Sequence, residues 1–162
     1  MKQITISEAE KSTSPNPITL VCAEAPNGVT NLAAVSWWTY LANRPPMIGF
    51  AISKKGYTGE LIRNSGKAVL SIPGEAIANE AFQCGCSSGR DTNKAEKFGI
   101  ELTGTTAKFP VHSKLAFVCT LENSVEAGDH IFYICNVGDI FYNENEKQLY
   151  SWSGYSKLAP LD

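Results

Sequence analysis

The chain has 162 residues, 43% apolar and 19% charged, with a formal net charge of −2. That length fits one domain able to bury a core without disulfide or metal staples, and the near-balanced charge argues against a general nucleic-acid binder. The polar N-terminus lacks the apolar stretch of a secretory signal, and no run approaches the roughly 20 apolar residues of a membrane-spanning helix, so a cytoplasmic protein with no membrane attachment is expected.

Residues 1–17 are polar and end in Ser14-Pro15-Asn16-Pro17, which predicts an extended lead-in over residues 1–14. Strand-like runs follow at 18–23, at 29–38 after the turn Pro26-Asn27-Gly28, and at 47–52 after Pro45-Pro46. Short links between them imply a meandering, largely antiparallel sheet. A helix is expected over 57–64, stopped at Gly66, then a strand over 67–72 and helical segments over 75–82 and 91–98. Asp91 reads as the cap of the last. Two long strands, 114–125 and 130–142, form a hairpin through Ala127-Gly128-Asp129. Ile131, Phe132, Tyr133 and Ile134 are apolar on both faces of the second, as in a barrel wall that also packs against a helix or a second subunit. The expectation is a single, mainly β domain over residues 1–162.

Three places carry candidate chemistry. In Ser53-Lys54-Lys55-Gly56-Tyr57-Thr58 a strand hands over to a helix, whose first turn offers unpaired N–H groups and partial positive charge to an anion. Ser53 and Thr58 add hydroxyls and the lysines add charge, which suits a phosphate monoester; an ordinary helix start with solvated lysines would look the same. Trp37-Trp38, beside Asn31, Val35 and Ser36, could line a flat aromatic ligand or simply pack a core. Lys94 opens the helix after Ser87-Ser88-Gly89-Arg90, a place where a cation opposes the helix dipole and a negative partner would compensate it.

The five cysteines do not form an even framework; Cys22, Cys119 and Cys135 lie in strand-like runs and are expected as reduced core residues. Cys84 and Cys86 make a C-x-C pair without the companions a structural zinc needs, so no metal is expected. Of the two histidines, His130 opens a long strand at what could be a pocket mouth. No phosphate-binding Gly-rich loop, Rossmann fingerprint or nucleophile elbow is present.

Taken together, Asn31, Trp37-Trp38-Thr39, Asn43-Arg44-Pro45-Pro46, Ser53-Lys54-Lys55-Gly56-Tyr57-Thr58 and Ser88-Gly89-Arg90-Asp91 with Lys94 resemble the flavin reductase-like family, nearest its flavoredoxin-like members. The resemblance implies an FMN-binding split β-barrel of Greek-key, largely antiparallel topology with a few short helices. It implies non-covalent FMN at or near a homodimer interface. Asn31, Val35, Ser36 and Trp37 would contact the ring or ribityl chain, with Trp38 nearby. Ser53, Lys54, Tyr57 and Thr58 would surround the phosphate, Lys94 would reach the flavin or its phosphate, and His130 would lie near the ring. An aromatic of the tail, Tyr150, Trp152 or Tyr155, would approach it too, although Trp152-Ser153-Gly154 departs from the family's usual aromatic-Gly-Gly. Electrons would come from NAD(P)H as co-substrate, or from a redox partner protein if the chain is an electron carrier. No protein acid, base or nucleophile is assigned.

Overall fold

The structure is a computed structural model and describes residues 1–105 and 107–161. A helix, α1 (Ile6–Ser12), replaces the extended lead-in expected there. Its cause is local: Thr5 and Glu8 form a reciprocal capping box, Thr5 Oγ1 accepting from the Glu8 amide while the Glu8 carboxylate accepts from the Thr5 amide at 2.8 Å. Such a box satisfies two otherwise orphaned donors, and the helix buries no residue.

The strands then run β1 (Asn16–Pro17), β2 (Thr19–Glu24), β3 (Thr30–Val35), β4 (Trp38–Asn43) and β5 (Pro46–Ser53). The single run expected over 29–38 is thus broken at Ser36-Trp37 and resumes as a separate strand. Helix α2 (Tyr57–Ser65) ends at Gly66, whose φ of 69° is the left-handed cap that glycine adopts without strain. After β6 (Lys67–Pro73) comes a 3₁₀ turn (Glu75–Ile77), then α3 (Ala78–Gly85), which reaches three residues beyond the segment expected. Helix α4 (Lys94–Phe98) is capped by Asn93, whose side chain accepts from the Glu96 amide, and not by Asp91. Short β7 (Leu102–Thr103) and β8 (Phe109–Pro110) precede the long hairpin of β9 (Ser113–Ala127) and β10 (His130–Tyr142). Strands β11 (Tyr150–Trp152) and β12 (Lys157–Ala159) close the chain, β11 pairing with β1.

Seven antiparallel strands make the main sheet in the order β3-β2-β6-β9-β10-β5-β4. The chain crosses over from β5 to β6, so β5 joins β10 instead, which is the Greek-key connection. The sheet curls into a split barrel. Its interior holds Phe50, Ile62, Leu70, Phe117 and Tyr133, each worth about 1.5–3 kcal/mol when fully buried. A second apolar layer on the outside, around Leu20, Leu32, Val69, Ile77 and Leu149, is covered by α3, α4 and the tail. Cys22, Cys119 and Cys135 are buried free thiols, as expected for core residues. Among the described residues no helix is long and apolar enough to cross a membrane.

Candidate functional site

The sheet ends in β3 on one side, and among the described strands β3 pairs with β2 alone. Its free edge faces the end of β5 across a cleft of about 580 Å³, within the range of about 300–1,000 Å³ usual for cofactor sites. Asn31, Val35, Ser36 and Trp37 line one wall, and Ser53, Tyr57 and Thr58 line the other. Lys94 and His130 complete it, so nine of the eleven residues singled out from sequence meet in one place.

The phosphate-suited corner is built around a tight turn. After Ser53 the chain reverses, the Gly56 amide donating to Ser53 O at 2.8 Å. Gly56 is the N-cap of α2 and brings no side chain to its first-turn amides, which leaves those donors for an outside acceptor. A Cβ at Gly56 would lie 2.6 Å from Ile52 Cγ2, so the turn needs glycine. Thr58 is buried, and its Oγ1 accepts a 2.7 Å hydrogen bond from Asn31 Nδ2, leaving its own proton to donate.

The two lysines divide differently from the expectation. The Lys54 amide donates to Asp129 O at 2.9 Å, and its ammonium pairs with Glu126 at 2.7 Å outside the cleft, holding that exposed carboxylate below its usual pKa. Lys55 lines the cleft in its place. Which of two adjacent lysines turns inward depends on where the strand register stops, and nothing in the sequence marks that point. Trp38 also leaves the cleft: it turns into the barrel and packs edge-on to Tyr40 with ring centroids 5.3 Å apart.

Trp37 is half exposed at the cleft mouth and lies against His130, centroids 4.7 Å apart. His130 Nδ1 is 2.8 Å from the Asp129 carboxylate, and that contact lowers the Asp129 pKa. Lys94 is buried at 4% exposure, with Nζ donating to Leu32 O and Cys84 O, both at 2.7 Å. Burial pushes its pKa down. Among the described residues no carboxylate pairs with it, so the third proton of the ammonium and its charge are available to a ligand.

None of the three tail aromatics lines the cleft within one chain. Tyr155 stacks on Phe82 at 5.0 Å and its hydroxyl points at Ala81 O and Phe82 O, bracing α3 from behind. The last two residues of α3, Cys84 and Gly85, and the loop from Cys86 to Gly89 line the cleft as well.

In this split barrel the cleft runs from a strand edge to a helix start whose free amides are suited to an anion. The flavin reductase like domain matches residues 12–159, and the chain belongs to that family. An uncharacterised protein of Archaeoglobus fulgidus is 29% identical over 116 residues, 69% of this chain and 63% of that protein, so the chain spans less than two thirds of that relative. The flavoredoxin of Methanosarcina acetivorans superposes with a TM-score of 0.85 at 20% identity, covering 100% of this chain and 92% of that one. An FMN-binding protein of Thermus thermophilus does so with 0.85 at 19% identity, covering 99% and 93%.

Proposed function

We propose that the protein is a homodimeric flavoprotein oxidoreductase that holds FMN non-covalently in this cleft and accepts electrons from NAD(P)H. The observation that carries the reading is the alignment, in one cleft, of an unpaired strand edge with an uncapped helix start. The free backbone groups of β3 suit the donor–acceptor edge of an isoalloxazine ring, and the α2 amides, Thr58 and Lys55 suit its phosphate. When bound, FMN supplies the redox chemistry. The chain's part is to grip, orient and polarise. The Lys94 ammonium, fixed by two carbonyls, favours negative charge on the ligand beside it. Trp37 and His130 form a wall at the open mouth, against which a second planar ring, such as a nicotinamide, can rest.

The dimer has its own support. On the outer face of β4, β5 and β10, Phe132 and Leu41 lie over Gly49, where a Cβ would overlap the Phe132 ring. Val125 stands opposite Phe132, and Leu41 and Val125 are 42% and 49% exposed. This apolar face adjoins Trp37 and His130 at the cleft mouth, so a second copy seated on it would also shelter the ligand.

Purified protein mixed with FMN and NADH or NADPH tests the activity by loss of absorbance near 340 nm. Turnover is expected. A yellow, FMN-loaded protein with no turnover by either nucleotide would leave an electron carrier fed by a partner protein.

A further inference from the structure

The segment between α3 and α4 roofs the cleft, yet its backbone is hardly attached. Among the described residues, the amides of residues 87–92 make one hydrogen bond, Arg90 N to Ser88 Oγ at 3.3 Å, and it stays within the segment. Both stems are firmly held. Lys94 Nζ clasps Cys84 O and Leu32 O, and Tyr155 braces the end of α3. The tip is held by one side chain: Arg90 Nη2 donates to Glu60 Oε2 at 2.7 Å, and its guanidinium lies 5.0 Å from the centre of the Tyr57 ring. Both partners belong to the first turns of α2, beside the phosphate-suited corner.

Beneath the tip, Gly89 sits so close to the Asn31 amide that a Cβ there would overlap Oδ1. Asn31 Oδ1 is sealed from solvent and has no hydrogen-bond partner. A buried acceptor left unpaired favours any rearrangement that gives it a donor. Lifting the loop admits water or ligand to it, so the closed roof is opposed from below and kept down from the side.

We propose that residues 86–91 are a lid on the cleft and that Arg90, clamped on Glu60 and Tyr57, is its latch, setting how fast flavin enters and leaves. Arg90 is a positioning residue here and needs no contact with the ligand. The ligand's identity rests on the FMN reading above, whereas the latch itself does not. A tight latch makes the flavin a resident cofactor; a loose one makes it an exchanging substrate.

The test compares wild type, Arg90→Ala and Arg90→Lys in two measurements. Stopped-flow flavin fluorescence gives FMN association and dissociation rates. In Arg90→Ala both are expected to rise about tenfold, the combined worth of an exposed ion pair and a cation–π contact, with the equilibrium affinity moving much less. Arg90→Lys, which keeps the charge and loses the planar fork, is expected to fall between. A nitroxide label on Cys86, the exposed cysteine at the start of the segment, reads the lid in the flavin-free protein, and its mobility is expected to rise in Arg90→Ala. Unchanged label mobility would overturn the latch, as would unchanged rates in a variant that binds FMN. A more mobile label in a protein that never binds FMN would sink the FMN reading and leave the latch standing.

Discussion

Asn31 Nδ2 donates to Thr58 Oγ1 across 2.7 Å, joining the free edge strand of the barrel to the first turn of α2 with both side chains buried. The bond fixes two walls of the cleft relative to each other, and it orients the Thr58 hydroxyl proton away from Asn31.

Thr58→Val should therefore act twice. It leaves a buried amide donor unpaired, at a cost of about 1–3 kcal/mol in folding stability, and it removes a hydroxyl from the phosphate corner. Urea unfolding and FMN titration check the two effects separately.

Lys55→Ala should weaken FMN binding by about 1.5–3 kcal/mol, the value of a charge-assisted hydrogen bond. Lys54→Ala should leave the affinity nearly unchanged, because that ammonium is committed to Glu126 on the surface. Isothermal titration of the two variants side by side gives the answer; equal losses would put both lysines at the phosphate.

The strand-loop-helix corner is legible in the sequence because it rests on residue types whose local physics is unambiguous: a strand end, Lys-Lys-Gly, then a helix-forming run. The barrel is legible from alternating apolar runs and the hairpin at Gly128, whose φ is 60°. Tertiary register sets the rest, and local patterns do not carry it. Trp37 and Trp38 are neighbours in sequence, but the strand break between β3 and β4 sends one to the cleft and the other to the core. Arg90 is marked in the sequence as part of Ser88-Gly89-Arg90-Asp91, but its pairing is not, since its partners Glu60 and Tyr57 lie about thirty positions away. The capping box at Thr5 and Glu8 is readable in the sequence, but the Ser-Pro-Asn-Pro that follows it points the other way.

Charges on the outer sheet should report the dimer. Leu41→Glu with Val125→Glu places two carboxylates on the apolar face beside the cleft mouth. Light scattering is expected to show a dimer for wild type and a monomer for the variant, with weaker FMN binding in the monomer. Wild type that is monomeric at all concentrations would remove the dimer.

The buried thiols give a pH dependence with a definite sign. Burial pushes Cys84 up to about 11 and Cys119 and Cys135 up to about 12, with Cys22 higher still. In the unfolded chain these thiols ionise near about 8.5, so above that pH the folded state holds more protons than the unfolded one. Stability then falls as pH rises, and the contribution is fully present below about 8. Urea midpoints should be flat with respect to these groups up to about pH 8 and decline beyond it. A thiol reagent at neutral pH should label Cys86, the exposed cysteine, at once, and the other four only after unfolding.

Titrating flavin-free protein with FMN, while following flavin fluorescence and absorbance, tests the cleft as a flavin site most directly. Saturation at one FMN per chain is expected, with a perturbed flavin spectrum, and with affinity lowered at least tenfold in Thr58→Val combined with Lys55→Ala. A well-folded wild-type protein that leaves the FMN spectrum untouched, or a double variant that binds as tightly as wild type, would contradict it.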